Sequence, residues 1–331
     1  MSVLMGGSGS TGSSLVKNIL NRSKDLFSGA ELAFYSKNEV YTNWDKYANR
    51  INKRGVRGLR NFGYHLYNGT DLNDEANLNS ESDIRQMIQD SQSIEHFSKL
   101  FFQKALEHNN AKIWMEKTPA NSACFSYFLD SFENGKVIHM VRNPYDTIAS
   151  LVSRGFDPFY ATGIYLLNTA SGLSMSERKD RYHEIKYEAV IGKSASTIKT
   201  ACDFLDIQFD DNMLMSQGEQ ITDSQLKGWN HDETGNIGRS SIGRFENLSD
   251  EERSIIMTAI NSIRISPKGK RYYRVDVNSI EEICDQLGYA YHQTSNSNYI
   301  DDLKRMQKKD RLSRIKRGYP TGVYYPLTIL K

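Results

Sequence analysis

Residues 3–12, Val3-Leu4-Met5-Gly6-Gly7-Ser8-Gly9-Ser10-Thr11-Gly12, predict the start of an α/β architecture. The apolar run at the beginning is typical of a short buried strand, and the glycines that follow it are typical of a loop. Leu15, Val16, Ile19 and Leu20 then fall on one face of a helix. A strand, a glycine loop and a helix in this order begin a βαβ unit.

The alternation of strands and helices continues along the chain. Apolar segments predict strands at 112–115, 136–141 and 184–187, and helical patterns occur at 84–106, after Pro119, from Pro144 with Asn143 as N-cap, and around 191–205. Capping boxes, Ser249 with Glu252 and Ser279 with Glu282, predict two later helices. We therefore expect a parallel β-sheet flanked by helices, in one domain spanning 1–331. Segment 38–80 lacks periodicity and is expected to be an irregular insertion or lid, and 289–331 a basic C-terminal extension in a helical C-terminal part.

The composition excludes several classes of protein. The chain has 331 residues, of which 38% are hydrophobic and 25% charged, which is typical of an ordered globular protein. With 42 basic and 40 acidic residues the net charge is +2, so any preference for anions must come from local clusters. Three cysteines, far apart, exclude a disulfide framework and a Cys-based metal site. No apolar run is long enough for a membrane helix and no leader precedes the first strand, so we expect a cytoplasmic protein.

The glycine loop has the chemistry of a phosphate site. Backbone N–H groups and the positive end of a helix dipole favour an anion at such a turn. The spacing of Gly7 and Gly12 fits a nucleotide-triphosphate loop, but Ser13 stands where that loop needs lysine. Gly7, Gly9 and Gly12 also fit a dinucleotide-binding pattern, although no acidic residue ends a clear second strand. A loop with no ligand is the remaining alternative.

A second cluster of anion-binding residues follows the strand at 136–141. Arg142 lies at the end of that strand, and Ser150 and Arg154 are expected one turn apart on the next helix. Three such donors can converge on one phosphate. Either arginine alone would be read as a surface ion-pair former. Together with the glycine loop, the cluster indicates a ligand with two separated anionic groups.

At these positions the sequence resembles the sulfotransferase family, which transfers a sulfuryl group from 3′-phosphoadenosine-5′-phosphosulfate (PAPS). Residues 7–15 resemble the family's loop for the 5′-phosphosulfate, and 137–150 resemble its 3′-phosphate motif, with Arg142 and Ser150 at the expected separation. Residues 116–119 and 186–188 resemble two further motifs, the second near the adenine. The matches run in order from residue 3 to about residue 263, and they are closer to the tyrosylprotein and bacterial branch than to the branch that acts on small phenols. The resemblance implies a P-loop-NTPase-like sulfotransferase fold.

The resemblance also implies roles for individual residues. Backbone amides and hydroxyls of Gly9, Ser10, Thr11, Gly12, Ser13 and Ser14 would hold the 5′-phosphate, and Arg142, Ser150 and Arg154 the 3′-phosphate. Tyr187 and Arg244 would be further contacts to the nucleotide. Lys117 would offset charge on the departing adenosine bisphosphate (PAP), and Glu31 would be the base for the acceptor hydroxyl. Such a reaction needs no metal, and the sequence offers no metal cluster.

Ser10 departs from the family pattern, because many relatives carry Arg or Lys there. We expect Lys117 and another cation to suffice for catalysis. A PAPS-binding or PAP-binding module with a lapsed active site is the alternative, and a P-loop kinase is a weaker one because both the loop lysine and a Walker B aspartate are missing.

The acceptor and other partners are less defined by the sequence. We expect a hydroxyl of a small molecule, a peptide or a carbohydrate, and we leave the oligomeric state open. Eight basic residues crowd into 304–317, a run that suits nucleic acid, an anionic membrane or an acidic acceptor. We favour a solvated helix that packs Leu303, Met306, Leu312 and Ile315, so nucleic acid is not expected as a partner. Aromatic residues of the insertion are candidates for either an acceptor pocket or the core: Tyr41, Trp44, Tyr47, Phe62, Tyr64 and Tyr67.

Overall fold

The computed structural model of the chain describes residues 1–54, 66, 78–214, 241–294, 298–316 and 326–330. Five strands form a parallel sheet in the spatial order β2-β3-β1-β4-β5. They are β1 (Ser2–Gly7), β2 (Leu26–Phe27), β3 (Ile113–Lys117), β4 (Gly135–Val141) and β5 (Tyr182–Lys186). A short antiparallel pair, β6 (Ile263–Ile265) with β7 (Leu327–Ile329), lies apart from this sheet. The predicted α/β class with a parallel sheet is confirmed.

Helices flank the sheet and make up most of the remaining described chain. In chain order they are α1 (Ser13–Leu20), α2 (Asn38–Thr42), α3 (Trp44–Arg54), α4 (Glu81–Asp90), α5 (Ile94–Asn109), α6 (Phe125–Ser131), α7 (Pro144–Val152), α8 (Pro158–Leu173), α9 (Tyr187–Gly192), α10 (Ser194–Leu205), α11 (Asp250–Ser262), α12 (Pro267–Tyr273), α13 (Ile280–Leu287) and α14 (Ile300–Lys316). Short 3-10 helices span Pro119–Cys124 and Asp211–Leu214. None of the described helices is both long and apolar enough to cross a bilayer.

The central strand divides the core between the two faces of the sheet. Leu4 packs into an aromatic cluster with α3, α5 and α6, whereas Val3 and Met5 pack against α1 and α10 on the opposite face. This alternation follows from the two-residue period of a strand. A third cluster joins α7 and α8 to α11 and α13. The sheet therefore has covered faces, and its carboxyl edge carries the loops that end β1, β3 and β4.

The register of the strands brings distant residues to that carboxyl edge. Met5 is level with Lys117 of β3, and Gly7 is level with Met140 of β4. Val141 pairs with Lys186 of β5. Parallel strands end at the same edge of a sheet, so the segments that follow Gly7, Lys117 and Val141 lie side by side.

Several predicted boundaries were wrong. Segment 38–80 is not irregular throughout, since α2 and α3 occupy its first part, and residues 55–65 and 67–77 lie outside the described residues. The pattern at 84–106 is two helices, because Ser93 caps α5 by accepting a hydrogen bond from the His96 N–H at 3.1 Å. The strand predicted at 184–187 is β5, which ends at Lys186, and Tyr187 begins α9.

The predicted capping boxes differ in outcome. Ser249 and Glu252 form a reciprocal box at the start of α11, as expected. Ser279 caps α13, but Glu282 accepts from the N–H of Asn278 at 3.1 Å, one residue earlier than the box requires. Ser279 alone therefore caps α13, and the Glu282 carboxylate binds the N–H of the preceding residue, Asn278.

Helix α14 carries the basic run, and one of its predicted core residues is wrong. Leu303 is buried and Met306 packs beside it, whereas Leu312 is 52% exposed. The structure says nothing of the side chains of Arg314, Ile315 and Lys316, and Arg317 lies outside the described residues. A groove of about 640 Å³ between α12 and α14 is lined by five cations, Lys268, Arg271, Lys304, Lys308 and Arg311. The partner of this run stays a prediction.

The aromatic residues of the insertion pack into the core where they are described. Trp44 and Tyr47 are 7% and 5% exposed and belong to the aromatic cluster, and Tyr41 packs against it. Phe62, Tyr64 and Tyr67 lie outside the described residues. The core role therefore accounts for the first three.

Candidate active site

The glycine loop leads from the central strand to α1. Strand β1 extends two residues further than expected because close neighbours require glycine there: a Cβ on Gly6 would lie 2.4 Å from the Ser122 N, and one on Gly7 2.2 Å from the Met140 O. Ser10 and Gly12 both have left-handed backbone, with φ of 68° and 82°. Thr11 Oγ1 donates to the Ser8 carbonyl at 2.7 Å and closes the turn.

The electrostatics of the first turn of α1 favour the binding of an anion. Gly12 is the N-cap, and no side chain in the described parts of the chain caps this end. An uncapped N-terminus leaves backbone N–H groups and a partial positive charge at the loop. Ser13 and Ser14 stand in that first turn, so the structure brings together the six loop residues predicted for the 5′-phosphate.

Lys117 and Glu31 meet beside the loop. Lys117 ends β3 and is only 5% exposed, so it is not the surface lysine that its residue type alone would favour. Its Nζ donates to Ser14 Oγ at 3.0 Å and forms an ion pair with Glu31. The Glu31 side chain is 37% exposed and is the more accessible member of the pair. The pair thus links the start of α1 to a partly exposed carboxylate.

Arg142 is buried at the junction of β4 and α7. It is 3% exposed and donates from Nη1 to the Ser10 carbonyl at 2.8 Å and from Nη2 to the Ser241 carbonyl. Its guanidinium also lies over the ring of Tyr187, 4.8 Å from the centroid. Arg142 therefore joins the glycine loop to the second cluster of predicted residues.

Ser150 and Arg244 complete this second cluster together with Arg154. Arg244 donates from Nη1 to Ser150 Oγ at 3.1 Å. Ser150 lies on α7 as predicted, but Arg154 does not, since the helix ends at Val152 and Arg154 follows in a turn. Burial, followed by repulsion from Arg244 and Arg142, lowers the pKa of Arg154 to about 10.

Tyr187 lies between the two clusters rather than apart from them. Its ring packs on Gly12, where a Cβ would be 2.4 Å from the ring Cδ2, and it also contacts the Arg142 guanidinium. The backbone hydrogen bond from Asn143 to Glu188 Oε1, at 2.9 Å, holds the start of α9 against that of α7. The Tyr187 ring thus packs against both the glycine loop and Arg142.

Asp146 anchors the segment that carries Arg244. Its two carboxylate oxygens accept from the N–H groups of Gly243 and Phe245, at 2.8 and 3.0 Å. Sequence reasoning assigned Asp146 only to the first turn of α7 and missed this contact, because the anchored segment lies 97 residues further along. The signal available was the aspartate of the 3′-phosphate motif, which a helix N-terminus explained equally well.

The charges of the site fit a ligand with two anionic groups. Burial, opposed mainly by Asp146, lowers the pKa of Arg142, so this buried cation is incompletely compensated. Arg142 Nε and Ser10 Oγ are buried and have no hydrogen-bond partner among the described residues. Both features favour an anion with several acceptor oxygens. The described residues contain no cluster of His, Cys, Asp and Glu that could hold a metal.

Comparisons with known proteins give the family. The model of the Sulfotransferase family matches residues 2–211. The sulfotransferase domain of the Synechococcus PCC 7002 olefin synthase is 21% identical, with a TM-score of 0.56 over 75% of this chain and 88% of that chain. A sulfotransferase domain of the curacin biosynthetic pathway is 16% identical, with a TM-score of 0.46 over 88% and 98% of the two chains. No curated protein sequence matches. Because the family match covers more than half of its length, this chain belongs to the sulfotransferase family, and it is a PAPS-dependent transferase.

Proposed function

We propose that the chain moves a sulfuryl group from PAPS to a hydroxyl acceptor by in-line transfer. The observation that carries this proposal is that charged side chains contact the glycine loop at two points: Arg142 bonds to the Ser10 carbonyl, and Lys117, paired with Glu31, bonds to Ser14. The bond from Arg244 to Ser150 adds a second arginine to the predicted 3′-phosphate residues. Such an arrangement offers two anion sites and, beside one of them, a cation paired with a base.

Each of the two clusters would bind a different phosphate of the donor PAPS. The amides and hydroxyls from Gly9 to Ser14 would hold the 5′-phosphate at the N-terminus of α1. Ser150 and the three arginines would hold the 3′-phosphate, where its charge relieves their mutual repulsion. Tyr187 would keep Arg142 in place and border the adenine.

Lys117 and Glu31 are the catalytic residues of this proposal. PAPS supplies an activated sulfuryl group on its 5′-phosphate. Lys117, already bonded to Ser14, would neutralise charge that develops on the leaving oxygen. Glu31 would take the proton of the acceptor hydroxyl, because its side chain is the more exposed member of the pair. The acceptor, a hydroxyl of a small molecule, peptide or carbohydrate, would therefore approach from the Glu31 side.

Arg142→Ala tests the donor assignment. One strong charge-assisted contact contributes about 1.5–3 kcal/mol, so we expect PAP affinity to fall by about 10- to 100-fold. Affinity for adenosine 5′-phosphate, which lacks the 3′-phosphate, should fall less than PAP affinity, because Arg142 reaches the 5′-phosphate loop only through the Ser10 carbonyl. Isothermal titration of both ligands measures this, with Arg178→Ala as control because Arg178 pairs with Asp130 at the surface. Equal losses for the two ligands would remove the 3′-phosphate assignment.

A PAPS-binding module without activity is the second candidate, and Ser10 is the reason. Its carbonyl accepts from Arg142 and its hydroxyl has no partner among the described residues, but neither group brings a cation to the transferring sulfuryl group. Tight PAP binding with neither transfer nor release of sulfate from labelled PAPS would support this candidate. Ser10→Arg is then the substitution expected to restore turnover.

A further inference from the structure

The two catalytic candidates lie 86 residues apart, on segments that are joined by their immediate neighbours. Glu116 and Thr118 flank Lys117 at the end of β3, and Leu32 and Ala33 follow Glu31. The Leu32 N–H donates to Glu116 Oε1 at 2.8 Å, and the Ala33 N–H donates to Thr118 Oγ1 at 3.1 Å. Two successive peptides after the base are therefore hydrogen bonded to the two residues on either side of the lysine.

The bonds between these neighbours form a connected network. Thr118 Oγ1, which accepts from Ala33, donates to Glu116 Oε1 at 2.6 Å. The other oxygen of Glu116 accepts from the amide of Asn121, whose side chain is fully buried. The carboxylate of Glu116 thus accepts three hydrogen bonds, from Leu32, Thr118 and Asn121. The Ala33 N–H is connected to it through the Thr118 hydroxyl. In a buried setting, a network of this kind restricts its members strongly.

The turn at Leu32 and Ala33 depends on this network, because the acceptors are buried and the backbone of Ala33 is left-handed. Glu116 is 2% and Thr118 6% exposed, so water does not replace either acceptor. Ala33 has a φ of 51°, a left-handed conformation that non-glycine residues rarely adopt and that needs support from its surroundings. Without Thr118 Oγ1, the Ala33 N–H would lose its hydrogen bond, and the bond from Ser36 Oγ to the Ala33 carbonyl, at 2.9 Å, would remain. The direction of the Glu31 side chain depends on that same turn.

We propose that Glu116 and Thr118 are positioning residues that hold the turn after Glu31 in register with Lys117. The inference rests on the proposed function for the roles of Glu31 and Lys117, but the hydrogen bonds that carry it do not. Neither positioning residue contacts the reacting groups; each acts through the peptides of Leu32 and Ala33. Misplacement of a catalytic group by about 1 Å is enough to lower a rate by up to about 100-fold.

Amide exchange tests the positioning role without any acceptor. Thr118→Val keeps the branched shape and removes the hydroxyl, whereas Thr118→Ser keeps it. In the full chain we expect exchange of the Ala33 amide, followed by NMR, to accelerate at least tenfold in the valine variant and by less than threefold in the serine variant. Thr258→Val is the matched control, since Thr258 is a buried threonine whose hydroxyl donates to the Ser254 carbonyl in α11. An unchanged Ala33 rate in Thr118→Val would overturn the proposal.

Single-turnover release of sulfate from labelled PAPS, with water as the acceptor, tests the consequence for catalysis. Thr118→Val should lower the rate about tenfold and leave PAP affinity within about twofold, and Thr118→Ser should recover the rate to within about threefold. If Thr118 acts through Glu31, adding Thr118→Val to Glu31→Gln should cause no further loss. Equal losses in the two backgrounds would show that Thr118 acts independently of the base and would refute the link.

The two experiments separate this inference from the proposed function. If the wild-type chain binds no PAP, or if Glu31→Gln has full activity, then the donor or base assignment fails. The exchange measurement still decides whether Thr118 holds the turn. If Glu31→Gln loses activity while Thr118→Val keeps the wild-type rate, the base assignment stands and the positioning role is wrong.

Discussion

Lys117 and Glu31 differ in exposure, and this difference suits two steps of one reaction. Lys117 is 5% exposed, and its Nζ contacts Ser14 Oγ and the Glu31 carboxylate. A bound donor would bring negative charge to the same Nζ. The lysine would then hold Glu31 less tightly, which would leave the carboxylate available to the acceptor hydroxyl.

Glu31→Gln should separate catalysis from binding. The substitution preserves size and removes the basic oxygen, so we expect turnover to fall by about 10²- to 10⁴-fold, the usual loss for a general base. PAP affinity should change by less than about threefold, because the proposed role of Glu31 is towards the acceptor and not towards PAP. Single-turnover transfer from labelled PAPS and PAP titration measure the two effects. Full turnover in this variant would place the base elsewhere.

Helix α7 depends on a contact that lies outside the helix itself. Asp146 holds the segment 241–245 against α7 through two peptide N–H groups, and that segment delivers Arg244 to Ser150. Asp146 is 7% exposed, so these N–H groups have no ready substitute in water. The cluster proposed for the 3′-phosphate therefore joins two distant parts of the chain, and Asp146 and the bond from Arg142 to the Ser241 carbonyl hold them together.

Asp146→Asn should weaken binding of the 3′-phosphate selectively. An amide group can accept from only one of the two N–H groups and turns a donor towards the other, so the segment with Arg244 loses its fixed position. We expect PAP affinity to fall about tenfold and affinity for adenosine 5′-phosphate to fall less than twofold. The control is Asp83→Asn, which alters the capping box of α4, a helix that packs in the aromatic cluster. A similar loss in Asp83→Asn would show that the effect is general instability.

Strand β1 shows why its end could not be predicted from residue preferences. Glycine is disfavoured in strands, so the pattern indicated that the strand stops at Met5. The structure continues it to Gly7 because the strand passes close to Met140 of β4. Packing against a segment more than 100 residues away thus outweighs the local preference, and no local pattern contains that information.

Gly7→Ala should destabilise the fold through this close approach. The added Cβ would lie 2.2 Å from a backbone oxygen that cannot rotate away, so β1 and β4 must separate. We expect the free energy of unfolding to fall by about 1–3 kcal/mol or more, the usual range for overpacking. Gly192→Ala is the control, because nothing lies within 4 Å of its Cβ, and it should be neutral or slightly stabilising. Denaturant unfolding of both variants gives the comparison.

Across the whole chain, the sequence was most informative where local pattern and chemistry coincide. The parallel sheet and the glycine loop follow from alternating elements and from the needs of a phosphate site, and Asn143 caps α7 as its residue type predicts. Contacts across long separations were missed. Glu116 belongs to the motif at 116–119, but its bond to the turn after Glu31 depends on how β3 packs beside a segment that has no regular pattern. Arg154 was placed on α7 because the helix was extended by periodicity beyond its actual end at Val152.

PAP should stabilise the entire fold without a metal ion. Its proposed contacts reach β1, α1, β4, α7 and the segment 241–245, so binding links elements from both halves of the described chain. A ligand that binds only the folded state at 100 times its Kd adds about 2.7 kcal/mol to the free energy of unfolding. We expect this gain in the presence of a chelator, since arginines and backbone amides are the groups proposed to bind the phosphates. Denaturant unfolding with PAP and EDTA measures it, and adenosine 5′-phosphate at equal concentration is the control and should stabilise less. Stabilisation by ATP with Mg²⁺ but not by PAP would instead favour phosphoryl transfer and overturn the donor assignment.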